Sequence, residues 1–305
     1  MTTPKMFVLA ENMTLPQGDR AHRGFGFAFG AKDLPVVLGD SRPGMQHMRE
    51  TAYISSEGLQ LSILYPLTHY EEAVLGLRKF RELFPERALE YVVDLGANAG
   101  AVGLLAAHWG ALRCLLVEPT FLPRLYYNVC ANRFEDRCVI LPYAVWHTDG
   151  QTLNMSAACD PAIMVNVEKP PIALDVGTLG LSPVLTMSFN TIINMLPRVD
   201  FLKIDVDGGE YFFLTDAVRP VLKKVQFIDL ELHIFSDGLY NSCFDVTGVT
   251  GEGDYSVELA ARKIVKMLLD EGFLLWRRKV NTAFLFADEP DMRSHMLFYR
   301  PQAGE

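Results

Sequence analysis

A β-branched run that stops at an acid and breaks into a glycine turn constrains this chain more than any other feature. Residues 91–100 read Tyr-Val-Val-Asp-Leu-Gly-Ala-Asn-Ala-Gly, and the apolar residues that follow can form a helix. The pattern specifies a strand, a tight loop and a helix N-terminus. Gly96 and Gly100 let the loop backbone approach a ligand closely, and a helix start offers unpaired N–H groups with positive potential. On its own such a loop fits any nucleotide-like ligand. The next apolar run, Leu115-Leu116-Val117, closes on Glu118-Pro119, and an acid at the end of a second strand stands where a ribose has its hydroxyls bound.

The spacing disfavours a nicotinamide site. Dinucleotide loops use G-x-G-x-x-G so that a pyrophosphate sits on the helix N-terminus. Here Asp94 precedes Gly96 and Gly100 in a D-x-G-x-x-x-G pattern. A carboxylate ahead of the turn repels a pyrophosphate and suits a ligand that carries an amine. S-adenosylmethionine has an α-amino group, a sulfonium and a ribose, and no phosphate. The expected cofactor is therefore this methyl donor. Asp94 and the loop residues Gly96, Ala97, Asn98 and Gly100 would hold its methionine portion, and Glu118-Pro119 its ribose.

Composition fits an ordinary globular enzyme. The chain of 305 residues is 50% hydrophobic and 21% charged, enough to bury a full α/β core and unlike a disordered protein. A formal charge of −9 and a pI near 5.3 disfavour nucleic acid as a partner and favour a small or neutral acceptor. Five cysteines (Cys114, Cys130, Cys138, Cys159 and Cys243) include no C-x-x-C pair, so a disulfide or zinc scaffold is not expected and a reducing compartment is. Met1–Ala10 carries one lysine and an apolar run too short for a secretory signal. The longest apolar stretch, Ala101–Val117, is interrupted by His108 and Arg113 and reads as helix plus strand, not a membrane span. A cytoplasmic location is expected.

Residues 1–67 show scattered Gly and Pro and little periodicity. They read as an N-terminal extension, a lid or packing arm, with short paired strands in Thr51–Leu64. Residues 68–305 read as the main domain. Thr68 with Glu71 makes a capping box, Ala73, Leu77, Phe80 and Phe84 fall on one helical face, and Pro85 marks the end. Apolar runs then recur at Tyr91–Leu95, Arg113–Glu118, Val139–Val145, Phe201–Val206 and Gln226–Leu232, separated by helical or loop segments. Such alternation predicts a parallel, doubly wound sheet. Gln151–Pro183 reads as a loop insertion, Ser256–Glu271 as an amphipathic helix closed by Gly272, and Phe273–Arg277, Ala283–Ala287 and Met296–Arg300 as the last strands, at least one antiparallel.

Two further segments carry chemistry. Asp200-Phe201-Leu202-Lys203-Ile204-Asp205-Val206-Asp207-Gly208-Gly209-Glu210 is an apolar strand leading into an acid-rich glycine loop. Asp205, Asp207 and Glu210 repel one another unless a sulfonium, a metal or Lys203 sits among them. The same residues also fit a helix cap, with Asp207 as N-cap and Glu210 three positions on. At Asp229-Leu230-Glu231-Leu232-His233, the acids and the histidine share one face of a strand. His233 is a candidate general base, or a satisfied structural group.

The chain resembles the FkbM family of S-adenosylmethionine-dependent methyltransferases. The likeness rests on Val93 to Gly100, Val117-Glu118-Pro119, Leu125 through Asn128 to Asn132, Met187–Leu196 ahead of the Lys-Ile-Asp strand, Phe201 to Glu210, and Leu230-Glu231-Leu232-His233. It covers roughly residues 70–300. The resemblance implies a class I methyltransferase (Rossmann-like) fold with a doubly wound, mostly parallel seven-stranded sheet. It also implies O-methylation of a small-molecule or saccharide hydroxyl. Asp205, His233 and Glu210 become the catalytic candidates, with Asp207 and Glu231 on the substrate side. Asp207 stands where Glu is usual, Gly209 where Ala is common, and Phe189-Asn190 where an acidic pair often falls. Two alternatives remain at this point: a metal-dependent transferase using the Asp205/Asp207 pair, and a non-catalytic donor-binding module.

Overall fold

The computed structural model describes residues 52–54, 60–62, 73–156, 164–165, 181–206, 208–233, 257–276 and 293–301. Ala52–Ile54 (β1) and Gln60–Ser62 (β2) pair as an antiparallel hairpin, as expected for that stretch. Leu75–Leu83 (α1) buries Leu77 and Phe80, and Phe84 packs just past its end ahead of Pro85. Thr68 and Glu71, the expected cap, lie outside the described residues.

The chain then alternates strand and helix: Tyr91–Leu95 (β3), Ala101–His108 (α2), Arg113–Val117 (β4), Leu122–Ala131 (α3) and Cys138–Leu141 (β5). Ala144–Trp146 (β6), Thr152–Ser156 (β7), Met164–Val165 (β8), Leu181–Ser188 (β9) and Phe189–Asn194 (α4) follow. The last part comprises Phe201–Ile204 (β10), Glu210–Phe213 (α5), Arg219–Leu222 (α6), Phe227–His233 (β11), Val257–Asp270 (α7), Leu274–Trp276 (β12) and Arg293–Tyr299 (β13).

Seven strands form the main sheet in the order β12-β13-β11-β10-β3-β4-β5. The five strands from β11 to β5 run parallel, and β13 is antiparallel to both β11 and β12. This is the doubly wound, mostly parallel Rossmann-like sheet of the expected fold class. The chain grows outward from β3 to β5 on one side, then returns to β10 and grows outward on the other. Between β3 and β10 the winding reverses, and in open α/β sheets ligands bind at that reversal, off the carboxyl ends of the strands.

Helices cover both faces, so the inner strands are buried along nearly their whole length. On one face Val93, Leu95, Leu202, Ile204, Ile228 and Leu230 meet Phe189 and Ile193 of α4, Leu222 of α6 and Ile264 and Leu268 of α7. On the other, Val92, Leu116, Phe201 and Phe227 meet Leu77 and Phe80 of α1, Leu104 of α2 and Val129 of α3. Phe201 and Phe227 stack with centroids 5.3 Å apart, and Phe80 stands edge-on to both at 6.1 and 5.8 Å. These rings seal the amino-terminal half of that face.

Two expectations need correction. Val139–Val145 is not one strand: Pro142, which has no N–H for the ladder, separates β5 from β6, and β6 leaves the main sheet to pair with β9. Gln151–Pro183 is not simply a loop, because β7, β8 and the start of β9 build a second sheet of order β6-β9-β7-β8. Pro183 lies within β9 opposite Asn154 of β7, while Pro161, Pro170 and Pro171 lie outside the described residues. Among the described residues the last strands are β12 and β13, as expected, and Ala283–Ala287 lies outside them. The helix closed by Gly272 is present as α7, with Gly272 at φ +85°.

Candidate active site at the sheet reversal

Two loops meet where the winding reverses. After β3 the backbone takes positive φ at Gly96 (+81°), Asn98 (+50°) and Gly100 (+85°). Gly96 and Ala97 donate their N–H groups to the Val117 carbonyl at 2.9 and 3.0 Å, which folds the loop toward the end of β4. Asp205 N–H donates to Leu95 O at 3.0 Å. A Cβ on Gly96 would lie 1.7 Å from the Asp205 carbonyl oxygen. Gly96 therefore serves two needs, the left-handed turn and the close approach of the β10 loop.

Glu118 holds the far side of this loop. Its buried carboxylate accepts Asn98 N–H at 2.9 Å on Oε2, and Thr120 N–H (2.7 Å), Thr120 O–H (2.9 Å) and Phe121 N–H (2.9 Å) on Oε1. The acid joins the glycine loop to the start of α3, with Pro119 half-buried between. A carboxylate offers about four acceptor directions, and Oε2 uses only one of its own. Asn128, fully buried on α3, donates from Nδ2 to Ala99 O at 2.8 Å and fixes the loop from beneath.

Asp94 is placed differently from expectation. It is buried, not presented to an open loop. Asp94, Lys203 and Asp229 are register partners on β3, β10 and β11, so the three form a row across one face of the sheet. One step nearer the carboxyl edge stand Asp205, Glu231 and, opposite Glu231 on β13, His295. Lys203 Nζ lies 3.5 Å from both Asp205 Oδ2 and Glu231 Oε2. His295 Nε2 bonds Asp229 Oδ1. Asp229 Oδ2 has no hydrogen-bond partner among the described residues, and Gly76 of α1 lies above it, where a Cβ would come within 2.0 Å.

One buried lysine thus serves several acids, and the protonation pattern follows. Burial pushes Asp94 up to about 7, while Lys203 and the Gly103 N–H of α2 pull it down. Burial works against the Lys203 cation, but the charges of Asp229, Asp205, Glu231 and Asp94 outweigh it and hold its pKa above the usual lysine range. With more carboxylates than cations, Asp94 is the acid that keeps a proton near neutrality.

The remaining candidates separate. Asp205 is about one-third exposed (32%), Glu231 less so (16%), and both reach the edge. Glu210 is fully buried and its Oε1 accepts Val206 N–H at 3.0 Å, which ties down the loop as a capping acid does. His233 ends β11, its backbone paired with Arg293. Asp207 lies outside the described residues. Among those described, no three His, Cys, Asp or Glu side chains are grouped as metal ligands. Sequence reading missed His295, because the last apolar run was taken to begin at Met296. Its signal was the alternation His295, Leu297, Tyr299 on one face of β13.

No protein-family model and no curated protein matches the chain. Solved structures similar to it include a precorrin-6y C5,15-methyltransferase from Geobacter metallireducens (14% identity over 76% of this chain and 87% of that one, TM-score 0.37). Magnesium protoporphyrin IX methyltransferase from Synechocystis, solved with bound S-adenosylhomocysteine, is 11% identical over 88% of this chain and 94% of that one, TM-score 0.39. The bifunctional kinase-methyltransferase WbdD is 12% identical over 88% of this chain and 46% of that one, TM-score 0.45. Among the described residues no helix is long and apolar enough to cross a membrane.

Proposed function

We propose that this chain is an S-adenosylmethionine-dependent methyltransferase that methylates a hydroxyl of a small-molecule or saccharide acceptor, as its resemblance to the FkbM family implies. The observation that carries this reading is the glycine loop bonded to Glu118 at the sheet reversal, with Asp205 against Gly96. The loop and its surroundings are rich in carboxylates. A phosphate ligand would face Glu118 and Asp205, whereas a sulfonium with an amine and a ribose would find acceptors for both cation and hydroxyls. Backbone of Ala97, Asn98 and Gly100 would bind the methionine portion and Glu118 Oε2 the ribose, with the buried Asp94 beneath them.

Methyl transfer from a sulfonium asks for little chemistry beyond alignment and a place for the acceptor's proton. Asp205, Glu231 and the end of β11 at His233 form the acceptor side of this reading. Lys203 sets its cation 3.5 Å from both Asp205 and Glu231, and Glu210 ties down the loop that follows β10. The test is calorimetric titration with S-adenosylmethionine, S-adenosylhomocysteine, ATP and NAD. Both sulfur ligands are expected to bind and the phosphates are not. Glu118→Gln removes a charge-assisted bond, on the order of 1.5–3 kcal/mol, and is expected to weaken both sulfur ligands by about tenfold or more. Binding of ATP or NAD in place of the sulfur ligands would refute the reading. Unchanged affinity in Glu118→Gln would remove Glu118 from the ribose.

A further inference from the structure

We propose that His295, oriented by Asp229, takes the acceptor's hydroxyl proton as the methyl group is transferred; this rests on the methyl-donor reading above. Three observations converge. First, Asp229 is fully buried and its Oδ1 meets His295 Nε2. A carboxylate can only accept here, so the neutral ring carries its hydrogen on Nε2 and keeps its lone pair on Nδ1. Among the described residues the ring has no other hydrogen-bond partner.

Second, the ring stands at the right level. His295 is the register partner of Glu231, and Glu231 shares Lys203 with Asp205, whose carbonyl touches Gly96. Glycine loop, Asp205, Glu231 and His295 therefore follow one another along the carboxyl edge. Third, exposure divides the two rows. Asp94, Lys203 and Asp229 are closed off, whereas the His295 side chain is 27% exposed.

The step balances. A lone pair of the acceptor oxygen forms the new C–O bond. The S–CH3 bond breaks with its electrons remaining on sulfur, and the hydroxyl proton passes to Nδ1. The products are a methyl ether, S-adenosylhomocysteine and an imidazolium. Burial lowers the pKa of His295, but the charge and hydrogen bond of Asp229, with Glu231, raise it further than burial lowers it, against opposition from Lys203. Asp229, Glu231 and Asp205 outnumber the single cation Lys203 on this side of the sheet, so the imidazolium is accommodated.

The test needs no acceptor. Full-length protein labelled with ¹⁵N-histidine is titrated by NMR in saturating S-adenosylmethionine and, separately, S-adenosylhomocysteine, with binding of each checked by calorimetry. His295→Gln identifies the resonance by its loss. The two ligands differ by one methyl group and one positive charge. A charge about 8 Å from the ring lowers its pKa by about 0.4 unit at the dielectric of water and about 1.5 at that of a protein surface. A lower pKa with S-adenosylmethionine than with S-adenosylhomocysteine, by at least about 0.4, is expected. Asp229→Asn is expected to bring the ring to its ordinary value or below. Equal pKa values in the two complexes overturn the proposal without any variant, and a value indifferent to Asp229→Asn overturns the pairing. If neither ligand binds, the donor reading itself fails, and calorimetry reports that before any titration.

Discussion

Asp94→Asn isolates the cost of placing an acid in the buried row. In the unfolded chain Asp94 ionises near 3.8, and in the fold only near about 7. Between those values the native state keeps a proton that the unfolded chain has lost, so stability falls as pH rises through the window. Each pH unit costs about 1.4 kcal/mol, so the full window is worth about 4 kcal/mol and the part between pH 5 and 7 about 2 kcal/mol. Asparagine has nearly the same shape, can still accept from Gly103 N–H, and does not titrate. It also removes a partner of Lys203, but that lysine is cationic throughout this range. That loss shifts the comparison by a constant and leaves its slope alone. Paired urea denaturation of wild type and Asp94→Asn at pH 5, 6, 7 and 8 is the assay. The variant is expected to gain about 2–3 kcal/mol relative to wild type between pH 5 and 7, then to level off. A flat difference, or one of opposite slope, would refute the account: it would mean that Lys203 holds Asp94 ionised and that burial does not dominate.

Two substitutions probe the loop. Gly96→Ala places a methyl group on a positive-φ residue and against the Asp205 carbonyl. A loss of at least about 2 kcal/mol is expected in thermal or urea denaturation, with donor binding abolished in calorimetry; an unshifted melt with intact binding would show that the two loops are not in contact. Asn128→Ala leaves Ala99 O without its side-chain donor, which costs about 1–3 kcal/mol and is expected to weaken S-adenosylhomocysteine severalfold, whereas a loop that binds as before after losing that bond is not held by Asn128.

The fold was largely legible because its signals are local. Strand β3, the turn at Gly96 and the α2 start are written in ten consecutive residues, and the parallel sheet follows from apolar runs covered on both faces. The errors came where a local pattern met a non-local partner. Leu141 and Ala144 belong to one apolar run, yet only pairing partners far along the chain, Val117 for one and Thr186 for the other, show that Pro142 splits it between two sheets. The site was legible by the same rule. Glu118 and the Gly96 loop are each visible at a strand end, and their juxtaposition follows from β3 lying beside β4. The environment of Asp94 was not visible: a strand-end acid reads as a ligand group until register places Lys203 beside it and α2 above it. His295 belongs to the antiparallel strand, 66 residues beyond its partner Asp229, and no spacing rule joins them.

The charge arrangement bears on why such a row would sit under a methyl-donor site at all. On the proposed function a sulfonium would bring one positive charge to this edge, and its departure as a neutral thioether would leave the surrounding carboxylates less compensated. If the acceptor's proton simply escaped to water, the edge would become more negative at the moment of bond formation, and the transition state would be opposed. Transfer of that proton to a ring flanked by Asp229 and Glu231 moves the positive charge sideways instead of removing it. Lys203 sits between the two locations, at 3.5 Å from Asp205 on one side and Glu231 on the other, and its cation stays in place whichever group carries the mobile charge. Asp94, holding its proton near neutrality, prevents the buried half of the row from accumulating a further negative charge that the edge could not offset. On this argument Lys203→Met should damage donor binding and protein stability together, whereas a change confined to His295 should leave donor binding intact.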